Sequence, residues 1–404
     1  MADQITEEAF GEEAIRFLDA NAPKQVERRR GWGEGSDRVG LFVERTPEEE
    51  RAAVSESKAW RGKVFDAGFG WITGPARWGG RELPASYQRC WQALESRYDT
   101  PSQAIFGIGL GMIAPTIVAH GTDVVRDRYL RDLFAGRIVA CQLFSEPVAG
   151  SDLAGLQTRA ERDGDEWVVN GQKVWTSGAQ YSDIGEIICR TDPDVPKHKG
   201  LTGFVLDMHA PGVEVRPLRQ MTGGASFNEV FFTDVRIPDD HRLGDVNQGW
   251  GVALTTLMNE RAAIGGGGVG VAIDLPRLLE VVARTGRGDD PVVRQLVADT
   301  WINANVARYT NLRAMERTQQ GGIPGPEMSI GKLALGYNLL RVARLLSAVL
   351  GPELVADSGR WGTFAWSQLV LGISGFRVAG GTEEIMKNII GERVLGLPKE
   401  PAGA

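Results

Sequence analysis

The sequence predicts an α+β fold in three consecutive blocks: an N-terminal α-helical domain over residues 1–135, a central β domain of the barrel or sandwich kind over 136–245, and a C-terminal helix bundle over 246–404. The period of the hydrophobic pattern carries this reading. Apolar residues recur at helical spacing from Ile5 to about Leu133, at a spacing of two between about Ala140 and Gly244, and at helical spacing again after Gly249. With 404 residues, 42% of them hydrophobic and 24% charged, the chain is long enough for two or three globular domains around a large core.

The first block marks its helices by their starts. In RTPEEERAAV, Thr46 is an N-cap, Pro47 suits the first helical position and Glu49 completes a capping box. Amphipathic spacing follows in YQRCWQALESRY and VVRDRYLRDLFAG. The middle block reads as strands in EWVVNGQKVWTSGA, IGEIICRT, TGFVLDM, VEVRPL and NEVFFTDVRIP, and Asn170-Gly171 reads as a turn signal between runs. The last block is helical through WGVALTTLMNER, the long run 291–319, SIGKLALGYNLLRVARLLSAVLG and GTEEIMKNIIGERVLG, as in a helix bundle.

Bulk properties exclude several function classes. A net charge of -7, with ERRR at 27–30 as the one short basic run, gives no electrostatic footprint for nucleic acid, and that run reads as a solvated loop or helix end. Cys90, Cys141 and Cys189 are far apart, and four scattered histidines supply no HExxH or CxxC companion, so no metal site is expected and the thiols read as buried or idle in a reducing compartment. The start of the chain is acidic where a targeting peptide is basic, and no apolar stretch reads as membrane-spanning. The expectation is a cytoplasmic protein without a membrane span.

Two local features bear on chemistry. Gly265, Gly267 and Gly270 form a literal G-x-G-x-x-G, but a dinucleotide fingerprint needs a preceding strand and a βαβ unit, and neither is visible; glycines that permit close helix packing or ligand approach explain the run better. Just before it, Ala253, Leu257, Glu260 and Ile264 share one helical stripe, so a carboxylate lies on a face that otherwise points to the core. Positions 256, 257, 263 and 264 hold no Lys or Arg to pair with it along the helix. Two readings stand for Glu260: a structural ion pair with Arg261 or a distant arginine, or a buried base.

CQLFSEPVAGSD at 141–152 resembles the signature of the acyl-CoA dehydrogenase family, flavoproteins that introduce an α,β double bond into acyl-CoA thioesters. Segments similar to that family follow in its order: KVWTSGA at 173–179, FNEVFFTDVRIP at 227–238, GWGVALTTLMNER at 249–261 and GGTEEIMKNIIGERVLGLP at 380–398. The resemblance covers nearly the whole chain and implies the same helical, β and helical order. Desaturating a thioester needs a base for the α-proton, an acceptor for the β-hydride and donors for the charge growing on the thioester oxygen. No side chain accepts a hydride, so a flavin is required.

The resemblance implies FAD as cofactor, with the α-proton passing to the base and the β-hydride to flavin N5. It sets Ser145 and Ser177 against the isoalloxazine ring, Trp175 beside it, Gln142 and Phe144 as neighbouring contacts, and Thr382 and Glu384 in a segment reaching the FAD. Ser151 matches a serine on the pantetheine or phosphate arm of CoA, and Arg261 is a second candidate substrate contact. Singly, each of these serines is as well explained as a turn or strand residue.

Most members of the family carry the base in a Tyr-Glu-Gly-Thr segment, but here the matching stretch is Ala379-Gly380-Gly381-Thr382. In a minority, including isovaleryl-CoA and long-chain acyl-CoA dehydrogenases, the base is the glutamate of a Glu-Arg pair on the helix after the β domain, and Glu260-Arg261 matches it. The stripe position and the glycine at 380 therefore converge on Glu260. The backbone N–H of Gly380 remains available to polarise the thioester carbonyl. Around ARTGRGDDPVVRQ the family's Arg-xx-Phe-Gly segment is replaced, so Arg284, Arg287 and Arg294 inherit no flavin role, LGPE stands at the expected glycine-rich turn, and Met258 replaces an acidic pantetheine contact found in some members. The resemblance further implies an electron-transfer flavoprotein as electron acceptor and a homotetramer built from dimers. Two alternatives are a flavin oxidase of the same fold and a non-catalytic subunit of a heteromeric acyl-CoA dehydrogenase.

Overall fold

The computed structural model describes residues 5–25, 32–41, 45–265, 274–319 and 325–399; the basic run at 27–30 and the glycines at 266–270 lie outside them. By its internal contacts the chain forms two compact units, one from Met1–Arg29, Arg45–Leu218 and Phe227–Ala253, the other from Arg30–Glu44, Arg219–Ser226 and Leu254–Ala404.

The first unit begins with five α-helices: α1 (Glu7–Asn21), α2 (Pro47–Asp66), α3 (Ala85–Glu95), α4 (Ala114–His120) and α5 (Asp123–Phe134). The capping box expected at the start of α2 is formed. Thr46 Oγ1 accepts from the Glu49 N–H at 3.2 Å, and the Glu49 carboxylate accepts from the Thr46 N–H at 2.8 Å, satisfying two donors the helix cannot pair internally. Tyr87, Trp91 and Leu94 bury the i, i+4, i+7 face of α3 in an aromatic core with Phe10, Trp60 and Phe69.

Eight strands follow: β1 (Ala140–Leu143), β2 (Arg159–Asp163), β3 (Glu166–Ser177), β4 (Ile184–Arg190), β5 (Leu201–Asp207), β6 (Val213–Leu218), β7 (Phe227–Pro238) and β8 (Arg242–Leu243). The five period-two runs of the sequence correspond to β3 to β7. The pairing order β6-β7-β3-β2-β4-β5-β8, with β1 parallel to β4, does not return to its start, so the sheet is open and "barrel or sandwich" fits it loosely.

Asn170-Gly171 is not a turn. Both residues lie inside β3, where the register against β7 shifts between Val169 and Gly171. Asn170 exchanges hydrogen bonds with Asp234 at 3.0 and 2.9 Å, and a Cβ on Gly171 would meet Thr158 Oγ1 at 2.5 Å, so the pair makes a bulge between two twelve-residue strands. The reversal between β2 and β3 falls instead at Gly164, φ +64°. β4 and β5 are also buried on both faces rather than alternating: Ile187, Cys189, Phe204 and Leu206 enter the sheet core, while a Cβ on Gly203, on β5, would come within 3.2 Å of Val252. Cys141 and Cys189 are buried free thiols, pushed up to about 12 by burial, whereas Cys90 is half-buried.

α6 (Gly249–Gly265) leads into the second unit, which contains α7 (Leu275–Arg284), α8 (Pro291–Gln319), α9 (Met328–Leu350), α10 (Trp366–Val378) and α11 (Glu383–Ile389). Its core joins Leu278 and Val281 of α7, Leu339, Val342 and Leu346 of α9, and Trp366 and Ile373 of α10. The segment 32–41 is strapped onto this unit. Trp32 sets its ring edge against Trp361 at 4.9 Å, Arg277 donates to the Asp37 carbonyl at 2.5 Å, and the Gly362 N–H donates to the Asp37 carboxylate at 2.9 Å.

One expectation about membranes needs correction. The helical stretch Met328–Leu354 is long and apolar enough to cross a bilayer by length and composition. Its apolar residues serve the core instead: Leu339, Val342, Leu345 and Leu346 are at most 1% exposed and pack against α7 and α10.

Candidate functional site

The candidate residues fall into two groups, one in each unit. In the first unit the groups expected to contact flavin stand on two adjacent segments, β1 with the loop after it and the end of β3. Gln142 is half-buried on β1, Phe144 is buried and Ser145 half-buried just beyond it, and Ser151 is exposed further along the loop. The Val174 N–H donates to the Ser145 carbonyl at 2.8 Å, tying the loop to β3 beside Trp175 and Ser177.

At the end of β3 the backbone leaves its regular register between Lys173 and Thr176. Trp175 adopts φ +62° and leaves 62% of its surface exposed, with Phe227 edge-on at 6.2 Å. A non-glycine residue in the left-handed region is strained, and an exposed tryptophan forgoes much of the hydrophobic gain from burial. Next to it the Thr176 hydroxyl is buried without a hydrogen-bond partner. An exposed aromatic face beside an unsatisfied hydroxyl suits a planar heterocycle with polar edges.

Beneath these groups lies an ion pair that the motif reading did not single out. Lys173, 0% exposed, donates to the Glu146 carboxylate at 2.9 Å and to the Phe144 carbonyl at 3.0 Å. The same carboxylate accepts from the N–H groups of Gln157 at 2.6 Å and Thr158 at 2.9 Å. Burial pushes the Glu146 pKa up, but the Lys173 charge and these donors outweigh it and hold the carboxylate below its ordinary range. Burial lowers the Lys173 pKa while Glu146 opposes it.

The second group lies in the second unit. Glu260 and Arg261 are half-buried on α6, and Leu257 of the predicted stripe is half-buried with them; the side chain of Ile264 lies outside the described residues. The Arg261 Nε is buried without a hydrogen-bond partner, and burial lowers its guanidinium pKa against the opposing pull of Glu260. Met258 is 37% exposed.

Gly380 and Gly381 form the turn from α10 to α11 with φ +69° and +98°, and a Cβ on Gly381 would meet Met386 Cε at 2.6 Å. The turn is held by charges rather than by apolar packing alone. Lys332, 1% exposed on α9, donates to the carbonyls of Arg377 at 3.1 Å and of Gly381. Arg377 in turn grips Glu383 through two hydrogen bonds of 2.6 and 2.8 Å. Thr382 caps α11, accepting from the Ile385 N–H at 3.2 Å. Of the two adjacent glutamates, Glu383 is buried and engaged, while Glu384, the one named from sequence, is exposed. Burial lowers the Lys332 pKa, and Glu383, Glu260 and Glu384 oppose that shift, so the base candidate and the double-glycine turn share one cation's field.

Of the three arginines at 284, 287 and 294, two are engaged in ion pairs. Arg284 pairs with Glu280 at 3.4 Å and lies over Trp32, and Arg287 pairs with Asp290 at 2.8 Å. Arg294 lines an open apolar groove of about 510 Å³ with Leu279, Val297 and Trp301. That groove contains none of the candidate residues. Lys332, Glu146 and Lys173 were missed because each acts on main-chain atoms or a partner eleven or more residues away, and Glu383 because its partner Arg377 lies on the far side of the double-glycine turn.

Three family models match the chain: the N-terminal domain of acyl-CoA dehydrogenases over residues 36–137, the middle domain over 141–235 and the C-terminal domain over 247–395. The acyl-CoA dehydrogenase IpdE1 of Mycobacterium tuberculosis is 36% identical over 365 residues, spanning 88% of this chain and 92% of that protein. Among solved structures, a steroid ACAD named Tcur3481-Tcur3483 is 25% identical with a TM-score of 0.74, covering 99% of this chain and 100% of the other. The ChsE4-ChsE5 complex from Mycobacterium tuberculosis is also 25% identical, with a TM-score of 0.70 and coverage of 99% and 100%.

Proposed function

The chain belongs to the acyl-CoA dehydrogenase family, and from that premise we propose that it removes the α-proton of an acyl-CoA thioester with Glu260 and the β-hydrogen as hydride to a bound flavin. It is an acyl-CoA dehydrogenase, and its cofactor is FAD. The observation that carries the assignment of the base is the coincidence of Glu260, half-buried and in the field of Lys332, with a glycine at 380, the position to which the family resemblance assigns the usual carboxylate.

In this reading Ser145, Ser177, Trp175, Gln142 and Phe144 hold the flavin, with Thr382 and Glu384 reaching it from their own segment. The exposed, strained Trp175 and the unsatisfied Thr176 hydroxyl support that fit. When bound, the flavin supplies the hydride acceptor that no side chain provides. Glu260 receives the proton, the Gly380 N–H polarises the thioester carbonyl, and Ser151 and Arg261 contact the substrate. The absence of a side chain at 380 leaves room beside the α-carbon, and the steroid-acting structural relative points the same way, towards a branched or ring-bearing acyl group. The three domains 1–135, 136–245 and 246–404 and a cytoplasmic location with an electron-transfer flavoprotein as acceptor complete the proposal.

Assembly has two readings. The family resemblance favours a homotetramer. The structural relatives named as pairs of different chains favour a heteromer in which this chain joins a homologue. Mass measurement in solution with flavin counted per chain separates them.

The test of function is anaerobic titration of the FAD-loaded protein with straight, branched and ring-bearing acyl-CoAs while the flavin absorbance is followed. Bleaching by branched or ring-bearing thioesters is expected. If no acyl-CoA bleaches the flavin, dehydrogenation by this chain is wrong, and peroxide production under air would point to the oxidase alternative.

A further inference from the structure

We propose that the buried Glu146–Lys173 ion pair is the positioning element of the flavin-binding half of the site, holding the segments of Ser145 and Trp175 in register for the cofactor. The inference rests on the placement of FAD at those segments.

Glu146 follows Ser145 directly, and Lys173 stands two residues before Trp175 on β3. Within this cluster every bond of the pair goes to main chain or to the partner. The ammonium reaches the carbonyl of Phe144 and the carboxylate of Glu146, and the carboxylate receives the N–H groups of Gln157 and Thr158. The main chain of Glu146 also closes the turn to Ala149, with reciprocal N–H to carbonyl bonds of 3.0 Å. Three stretches of chain, 144–149, 157–158 and 173, are thereby fixed to one pair of charges.

A wholly buried ion pair is a costly way to gain stability. Apolar side chains of similar volume usually fill such a space as well or better, while leaving one charge without its partner is severely disruptive. What apolar substitutes cannot reproduce is the direction imposed on three main-chain groups. Here those groups lie beside a tryptophan held at φ +62° and beside the Ser145 carbonyl, which accepts from the Val174 N–H. Glu146 and Lys173 are positioning residues in this scheme; nothing requires them to touch the cofactor.

The distinguishing variant carries both Glu146→Leu and Lys173→Met. A purely structural pair predicts an unchanged FAD dissociation constant in this double variant. Positioning predicts a thermal midpoint of the apoprotein close to wild type but FAD affinity weakened by about tenfold or more, equivalent to at least one well-formed hydrogen bond. The bound flavin should also lose the resolved shoulders of its visible absorption band as its ring becomes more exposed to water. Wild-type affinity and spectrum in the folded double variant would overturn the proposal. If that variant does not fold, Glu146→Gln, which keeps volume and an acceptor oxygen, provides the same comparison: weakened FAD binding with native circular dichroism supports positioning, and unchanged binding refutes it. Failure of wild-type protein to bind FAD at all would instead remove the underlying reading.

Discussion

The ammonium of Lys332 donates to the main-chain oxygens of both Arg377 and Gly381, so one buried side chain on α9 holds the end of α10 and the double-glycine turn after it. Replacing it by methionine keeps the volume and removes the donors. Lys332→Met should therefore retain FAD yet reduce its flavin with acyl-CoA more slowly, by about the 10²-fold typical of losing one oriented oxyanion donor, because the Gly380 N–H is no longer aimed. Rapid-reaction measurement of flavin reduction checks this, with amide exchange across 379–385 as an independent readout. Unchanged exchange and an unchanged rate would separate Lys332 from the turn's function.

Glu260→Gln isolates the base. Size and hydrogen bonding survive, but the amide cannot take a proton, so flavin binding should persist while reduction slows by roughly 10²- to 10⁴-fold, the usual contribution of general-base catalysis. Reduction at the wild-type rate would make Glu260 a structural carboxylate.

The Arg377–Glu383 pair gives the same turn an acid limit. The Arg377 hydrogen bonds hold the Glu383 carboxyl below its ordinary value of 4.5, despite the opposing effect of burial. A depressed carboxylate stabilises the fold above its unfolded pKa and loses that contribution as pH falls through the folded value. Amides at the start of α11 should stay protected down to about pH 4.5 and exchange faster only below it. In Glu383→Gln the step in this acid range should vanish and exchange should be faster already at neutral pH. An identical acid profile in the variant would assign the loosening to other groups.

A stripe on α8 bears on assembly. Trp301, Ile302, Val306 and Tyr309 are each more than half exposed, an unusual concentration of apolar surface on one helix. Trp301→Asp combined with Val306→Asp should leave helical content unchanged and lower the mass measured in solution by light scattering. Full-size assemblies with both substitutions would exclude this stripe as a subunit contact.

Local chemistry was legible in the sequence. The capping box of Thr46 and Glu49 needs only four consecutive residues, and β3, β6 and β7 announce themselves by alternation. What escaped depends on partners distant in the chain. Asn170-Gly171 has the composition of a hairpin turn, but Asp234 and Thr158 make it a bulge, and neither neighbour is visible from the dipeptide. In the site the deciding neighbour is close in sequence but turned by the double glycine: Thr382 and Glu384 stand out by motif, whereas the buried member of the adjacent pair is Glu383, held by Arg377 at the end of α10. Lys332 lies in a run whose apolar periodicity describes the helix correctly and says nothing about the two carbonyls its single charge must satisfy.

The strap at 32–41 is joined to residues far along the sequence. Asp37 is bonded to Arg277 and Gly362, and Trp32 rests on Trp361, separations of about 240 to 330 residues. Closing loops of that length is entropically expensive and slow compared with local helix formation. During synthesis residues 32–41 leave the ribosome before Arg277, Trp361 and Gly362 exist, so these contacts close only once residue 362 has emerged. Docking of the strap is therefore a late, non-local step that follows formation of α7 and of the turn at 361–362.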